Sequence, residues 1–121
     1  MSNNLFVSFD VHDIAREPSL ILGAIEELGQ AVRLFSCTWY VRSNLSASEA
    51  AERVWDVMEP EDRLLVIDAT QQEVATLNLD ERCTQWMMNR WHRDVREPDA
   101  ARPAESTVAA QSTRLNRSAR G

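Results

Sequence analysis

The chain has 121 residues, 44% of them hydrophobic, and a formal net charge of −6 carried without a single lysine. That length suffices for one domain that buries roughly two-thirds of its unfolded surface and folds without metal or disulfide staples. The excess of acid is a poor match for long duplex DNA, whose non-specific binding rests on neutralising phosphates. No apolar run approaches the about 18 residues of a membrane helix, so a general DNA binder and a membrane-spanning protein are both disfavoured.

The charge is also unevenly spread. Residues 1–95 carry eight arginines against sixteen acids, whereas residues 96–121 carry five arginines against three. A short RNA held by a few arginines and a metal stays compatible with this balance, since local fields can oppose the net charge. Cys37 and Cys83 are far apart and match no zinc or redox spacing. Both are expected to be buried thiols in a reducing, cytoplasmic protein, and no early segment reads as a signal peptide.

In chain order, Leu5-Phe6-Val7-Ser8-Phe9-Asp10 predicts a strand. Period-two alternation puts Leu5, Val7 and Phe9 on one face and Phe6, Ser8 and Asp10 on the other. Asp10 thus sits at the carboxyl end of the strand with His12 and Asp13 close behind. Such a carboxylate either caps a turn or stands where a rigid sheet holds a metal ligand or a reacting group within reach of solvent. Pro18 then opens a helix over 19–28 with Ile21, Ile25 and Leu28 on its apolar face and Gly29 as a left-handed stop. The stretch 31–43 is too long for a typical single strand and reads as two strands about a turn at Ser36-Cys37, the alternative being one continuous bent strand, since Ser-Cys lacks the Asn-Gly or Asp-Gly signal of a standard hairpin. Trp39 and Tyr40 fall on opposite faces there, one in the core and the other exposed or at an interface.

Ser46-Ala47-Ser48-Glu49 is a capping box that starts a second helix, with Ala47, Ala50, Ala51, Val54, Val57 and Met58 on its apolar face and Pro60 beyond its end. Arg63 to Asp68 is a short continuous apolar run between charges, the pattern of a well-buried strand. Glu73 to Leu79 alternates less cleanly and reads as an extra edge strand. From Asp80 a terminal helix carries Cys83, Trp86, Met87 and Trp91 on one face, with Arg82, Arg90 and Arg93 elsewhere and His92 beside the stripe. The spacing makes this stripe a packing surface against the body or a partner. Residues 96–121 have almost no large apolar side chains and are expected to form a disordered, arginine-bearing tail.

Together these elements predict an α+β protein: a ferredoxin-like βαββαβ sandwich over residues 1–95, with an extra edge strand, a C-terminal helix and the tail. Both crossover helices would lie on one face of the sheet. The other face would be bare and buried by a second copy of the chain.

The opening Phe6-Val7-Ser8-Phe9-Asp10, the segment Ser36-Cys37-Thr38-Trp39 and Leu64-Leu65-Val66-Ile67-Asp68 resemble the small CRISPR-associated nuclease family of spacer acquisition, Cas-two, and its relatives the VapD ribonuclease toxins. The stretch from Ser36 to Ala47 and the run Leu64 to Ile67 are most similar to the short SinR-family homologues. The resemblance spans about residues 4–93. It implies a homodimeric endoribonuclease in which Asp10 meets its symmetry mate and the pair holds magnesium, with Arg16 as a phosphate contact. The alternative for Arg16 is a surface ion pair with Glu17 or Asp13. RNA is the implied substrate. The missing lysines and acidic body depart from the nuclease pattern and favour another reading, a non-catalytic dimeric adaptor that engages a protein partner through an edge strand or the terminal helix. Asp68 ends a strand antiparallel to the first, which keeps it from completing a metal site with Asp10 in one subunit.

Overall fold

The computed structural model describes residues 2–13, 15 and 17–92. The tail expected over 96–121, and Arg16, lie outside the described residues. Four strands form one antiparallel sheet in the order β2-β3-β1-β4, with β1 Asn3–Asp10, β2 Gly29–Phe35, β3 Thr38–Ser43 and β4 Arg63–Asp68. Helices α1 Ser19–Glu26, α2 Ala47–Trp55 and α3 Glu81–Arg90 complete a mixed α+β architecture. β1 and β2 are joined through α1, and β3 and β4 through α2, each connection leaving room for one strand between the pair.

The two faces of β1 sort the core. Leu5, Val7 and Phe9 pack with Ile21, Ile25 and Leu28 of the α1 region, Ala50 and Val54 of α2, and Trp39 and Val41 of β3. The capping box at the start of α2 forms as its sequence predicts: Glu49 donates its N–H to Ser46 Oγ (3.1 Å) and Ser46 donates its N–H to Glu49 Oε1 (2.9 Å). Two donors otherwise orphaned at a helix start are thereby satisfied.

Several expectations are corrected. The opposite face of the sheet is not bare: α3 lies on it, with Cys83, Trp86, Met87 and Trp91 packed on Val32 and Tyr40, and Phe6 partly buried against them. Trp39 and Tyr40 therefore point to opposite faces yet are both buried. The segment 73–79 is not a strand. It leaves β4 through a turn with Gln71 in the left-handed region, reaches Asn78 in the same region, and on the way seats Val74 against the cluster under α3. A chain that crosses a sheet face has no neighbour to share a ladder with.

β4 is itself the edge strand. Leu64 and Val66 pack towards the helices, while Leu65 and Ile67 are 56% and 48% exposed. A continuous apolar run looks like a central strand because sequence does not show which flank lacks a neighbour. Gly29 begins β2 instead of ending α1 in a left-handed conformation, and a Cβ there would collide with the Arg42 carbonyl oxygen. Arg90 turns inward: its guanidinium stacks 3.7 Å above the Trp86 ring and its Nε donates to Gln30 Oε1 (3.1 Å). Of the two cysteines, Cys83 is buried but Cys37 is exposed at the turn.

Candidate functional site

Strand alternation carries Asp10 onto the face that α3 only partly covers. On that face the register sets Phe6 opposite Ile67, Ser8 opposite Leu65 and Asp10 opposite Arg63. On the other flank Ser8 faces Thr38, and their hydroxyls share a hydrogen bond of 2.8 Å. α3 covers the row that contains Phe6 and Tyr40 but stops short of the next one. What is left is an apolar groove of about 380 Å³ floored by Phe6, Ser8, Leu34, Thr38, Leu65 and Ile67 and walled by residues 74–77 and Leu79. Phe35 is 52% exposed and Leu77 91% exposed at its margins.

Asp10 is exposed at the end of this row, with Arg63 as its cross-strand neighbour. Phe9 ties the strand end to the β2–β3 turn by donating its N–H to the Cys37 carbonyl (3.2 Å). Although Cys37 is exposed as a residue, partial desolvation of its sulfur pushes the thiol up, the Arg33 guanidinium opposes this, and the Asp10 carboxylate adds to it. Asp10, Arg33, Cys37 and Arg63 therefore share one end of the sheet.

The other carboxylates nearby are already engaged. Asp62 is buried and accepts the N–H groups of His12 and Glu59, both at 2.8 Å, which clamps the exit of β1 to the entry of β4. Asp13 accepts the Ala15 N–H (3.0 Å). Asp68 faces Leu5, five residues along the strand from the Asp10 pairing, a separation of about 17 Å at strand rise. Its Oδ1 accepts from the Thr70 N–H and hydroxyl, so the structure does not bring it together with Asp10. His92 is exposed at the far end of α3.

Arg63 is the site residue that reasoning from sequence passed over. The signal was present, since an antiparallel β1–β4 pairing that sends Asp68 away from Asp10 must bring the other end of the same run beside it. Among the described residues, no three His, Cys, Asp or Glu side chains converge as metal ligands. Among its described residues a single chain thus offers the Asp10 carboxylate, the Arg33 and Arg63 guanidiniums and an apolar floor. One carboxylate is a weak hold on a hard dication, which takes six or more oxygen ligands.

Comparison of the chain with protein-family models, curated proteins and solved structures returns no match. Among the described residues no helix is long and apolar enough to cross a membrane.

Proposed function

We propose that the chain forms a ferredoxin-like homodimer of the Cas-two/VapD type that acts as a magnesium-dependent endoribonuclease, with Asp10 of each copy as metal ligand. The observation that carries this reading is the position of Asp10, an exposed carboxylate that ends the same strand row as an uncovered apolar groove. A two-fold axis through that groove covers Phe35, Leu65 and Ile67, and it draws the two carboxylates together. Fully burying an apolar side chain contributes about 1.5–3 kcal/mol, so such a strip has reason to find a partner. The donor set fits magnesium only as a pair, because a hard cation takes carboxylate oxygens and one chain supplies a single such ligand. When bound, the ion lowers the pKa of attacking water and polarises the phosphodiester. Arg63 stands where a guanidinium can hold a neighbouring phosphate by paired hydrogen bonds, a role the resemblance gives to Arg16.

The experiment is cleavage of labelled single-stranded RNA in magnesium by the wild-type chain and by Asp10→Ala. The substitution lies at an exposed position and leaves the fold intact, and the expected loss is at least about a hundredfold. Undiminished cleavage by the variant assigns the activity to a contaminant and removes the nuclease reading.

The acidic body favours a second reading, a non-catalytic dimeric adaptor. Without a ligand there is no linkage, so this reading expects millimolar magnesium to leave the melting temperature unchanged. A magnesium-dependent rise that disappears in Asp10→Ala contradicts it.

A further inference from the structure

The outer flank of β4 is a second surface with a chemistry of its own. Ala69 donates its N–H to the Asn4 carbonyl (2.7 Å), and in the same register Arg63, Leu65 and Ile67 face Asp10, Ser8 and Phe6. Hydrogen-bonded pairs alternate in an antiparallel ladder, so the backbone groups of Leu64, Val66 and Asp68 point away from β1. Among the described residues no strand lies on that side, and the 73–79 segment seats Val74 on the face under α3. Natural sheets blunt their edges with lysine, proline or a bulge. β2, at the opposite margin, has such an irregularity between Arg33 and Phe35. β4 has none: Leu64 to Ile67 are four apolar residues in unbroken register.

We infer that the β4 edge receives an extended, positively charged segment of another protein, which adds as a fifth strand. Main-chain bonds to Leu64 and Val66 supply the affinity of strand addition. The surrounding charge selects the partner. Glu61 and Asp68 bracket the strand with Arg63 between them, Glu52 and Arg53 are exposed on α2 and Asp56 at its C-terminal cap, and α2 packs against β4, so four acids stand there against two arginines. This fringe repels an acidic segment and attracts one flanked by arginine or lysine. The inference rests on the adaptor reading, which it narrows to one surface and one partner chemistry.

The probe is a synthetic peptide with alternating valine and threonine flanked by two arginines at each end, compared with the same peptide flanked by glutamates. The arginine peptide is expected to bind at least about tenfold more tightly and to slow hydrogen exchange at the Leu64 and Val66 amides. The double substitution Glu52→Lys with Glu61→Lys should reverse the preference. Equal affinities, no binding by either peptide, or binding that leaves those two amides unprotected would overturn the inference. So would protection that rises with protein concentration alone, which would make the edge a contact between copies. None of these results touches the adaptor reading itself, which fails instead on a magnesium-linked rise in melting temperature that depends on Asp10.

Discussion

Asn4 is completely buried, and its side chain joins three elements. Its Oδ1 accepts from the Tyr40 hydroxyl (2.7 Å) and Arg42 Nη1 (2.8 Å), while its Nδ2 donates to the Trp91 carbonyl (3.0 Å). Replacing it with alanine strands a hydroxyl and a carbonyl in the interior, so Asn4→Ala should cost about 2–4 kcal/mol in urea denaturation. A cost under about 1 kcal/mol would mean that water takes over the bonds. Tyr40 adds a pH dependence. Burial raises its pKa above the ordinary 10.0, with Arg42 and then Arg90 opposing. Its contribution to stability is therefore intact below about pH 10, where both folded and unfolded states hold the proton. Above that the unfolded state ionises while the folded state does not, and stability falls as pH continues to rise. Denaturation between about pH 9.5 and 11.5 should show this slope, to which the raised Cys37 thiol adds, and because the chain has one tyrosine the phenolate absorbance, appearing only on unfolding, reports Tyr40 alone. Phenolate formation in the still-folded protein near pH 10 would contradict it.

Gly29 shows how an element can depend on a missing side chain. β2 starts beside β3 so closely that a Cβ at Gly29 would meet the Arg42 carbonyl oxygen, backbone that cannot swing aside. Gly29→Ala should therefore destabilise the protein by about 2–4 kcal/mol, a thermal or urea midpoint being the readout, whereas the exposed helical Gly23, with open space around it, should gain from the same change. Much of this level was legible in the sequence. The period of two in Leu5, Val7 and Phe9, the capping box at Ser46 and the stripe from Cys83 to Trp91 each reflect local physics and each recur in the structure. What was not legible depends on neighbours far along the chain. Gly29 next to Glu27-Leu28 looks like a helix stop, and only the close approach of Arg42 gives it another role. Leu64 to Ile67 reads as buried because apolar runs usually are, and only the sheet order makes it an edge. The amphipathic stripe of α3 was read correctly as a packing face, but nothing in its spacing said that the second face of this chain's own sheet would receive it. The position of the candidate site was legible in the same measure, with Asp10 placed on its face by alternation and its neighbour Arg63 revealed only by register.

At the level of the whole molecule, α3 changes the argument for self-association without removing it. With Tyr40, Val32 and most of Phe6 covered, the surface left for a second copy is the groove between β4 and the β2–β3 turn, not an entire sheet face. A strip with Phe35, Leu65, Ile67 and Leu77 exposed is comparable with the roughly 300–600 Å² of the largest patch on ordinary monomers. It falls short of the about 800 Å² per partner of a standard interface. Association through it should accordingly be modest in affinity and sensitive to what happens at Asp10. Two carboxylates brought within a few ångströms repel, and a divalent ion or a proton between them relieves that repulsion. The direct measurement is sedimentation equilibrium of the wild-type chain and Asp10→Ala, with and without magnesium, at neutral pH and low salt. Magnesium should strengthen dimerisation of the wild type by at least about tenfold, whereas Asp10→Ala should associate equally well in both buffers. A wild-type chain that stays monomeric at tens of micromolar with magnesium present would contradict the shared metal site and, with it, the nuclease proposal.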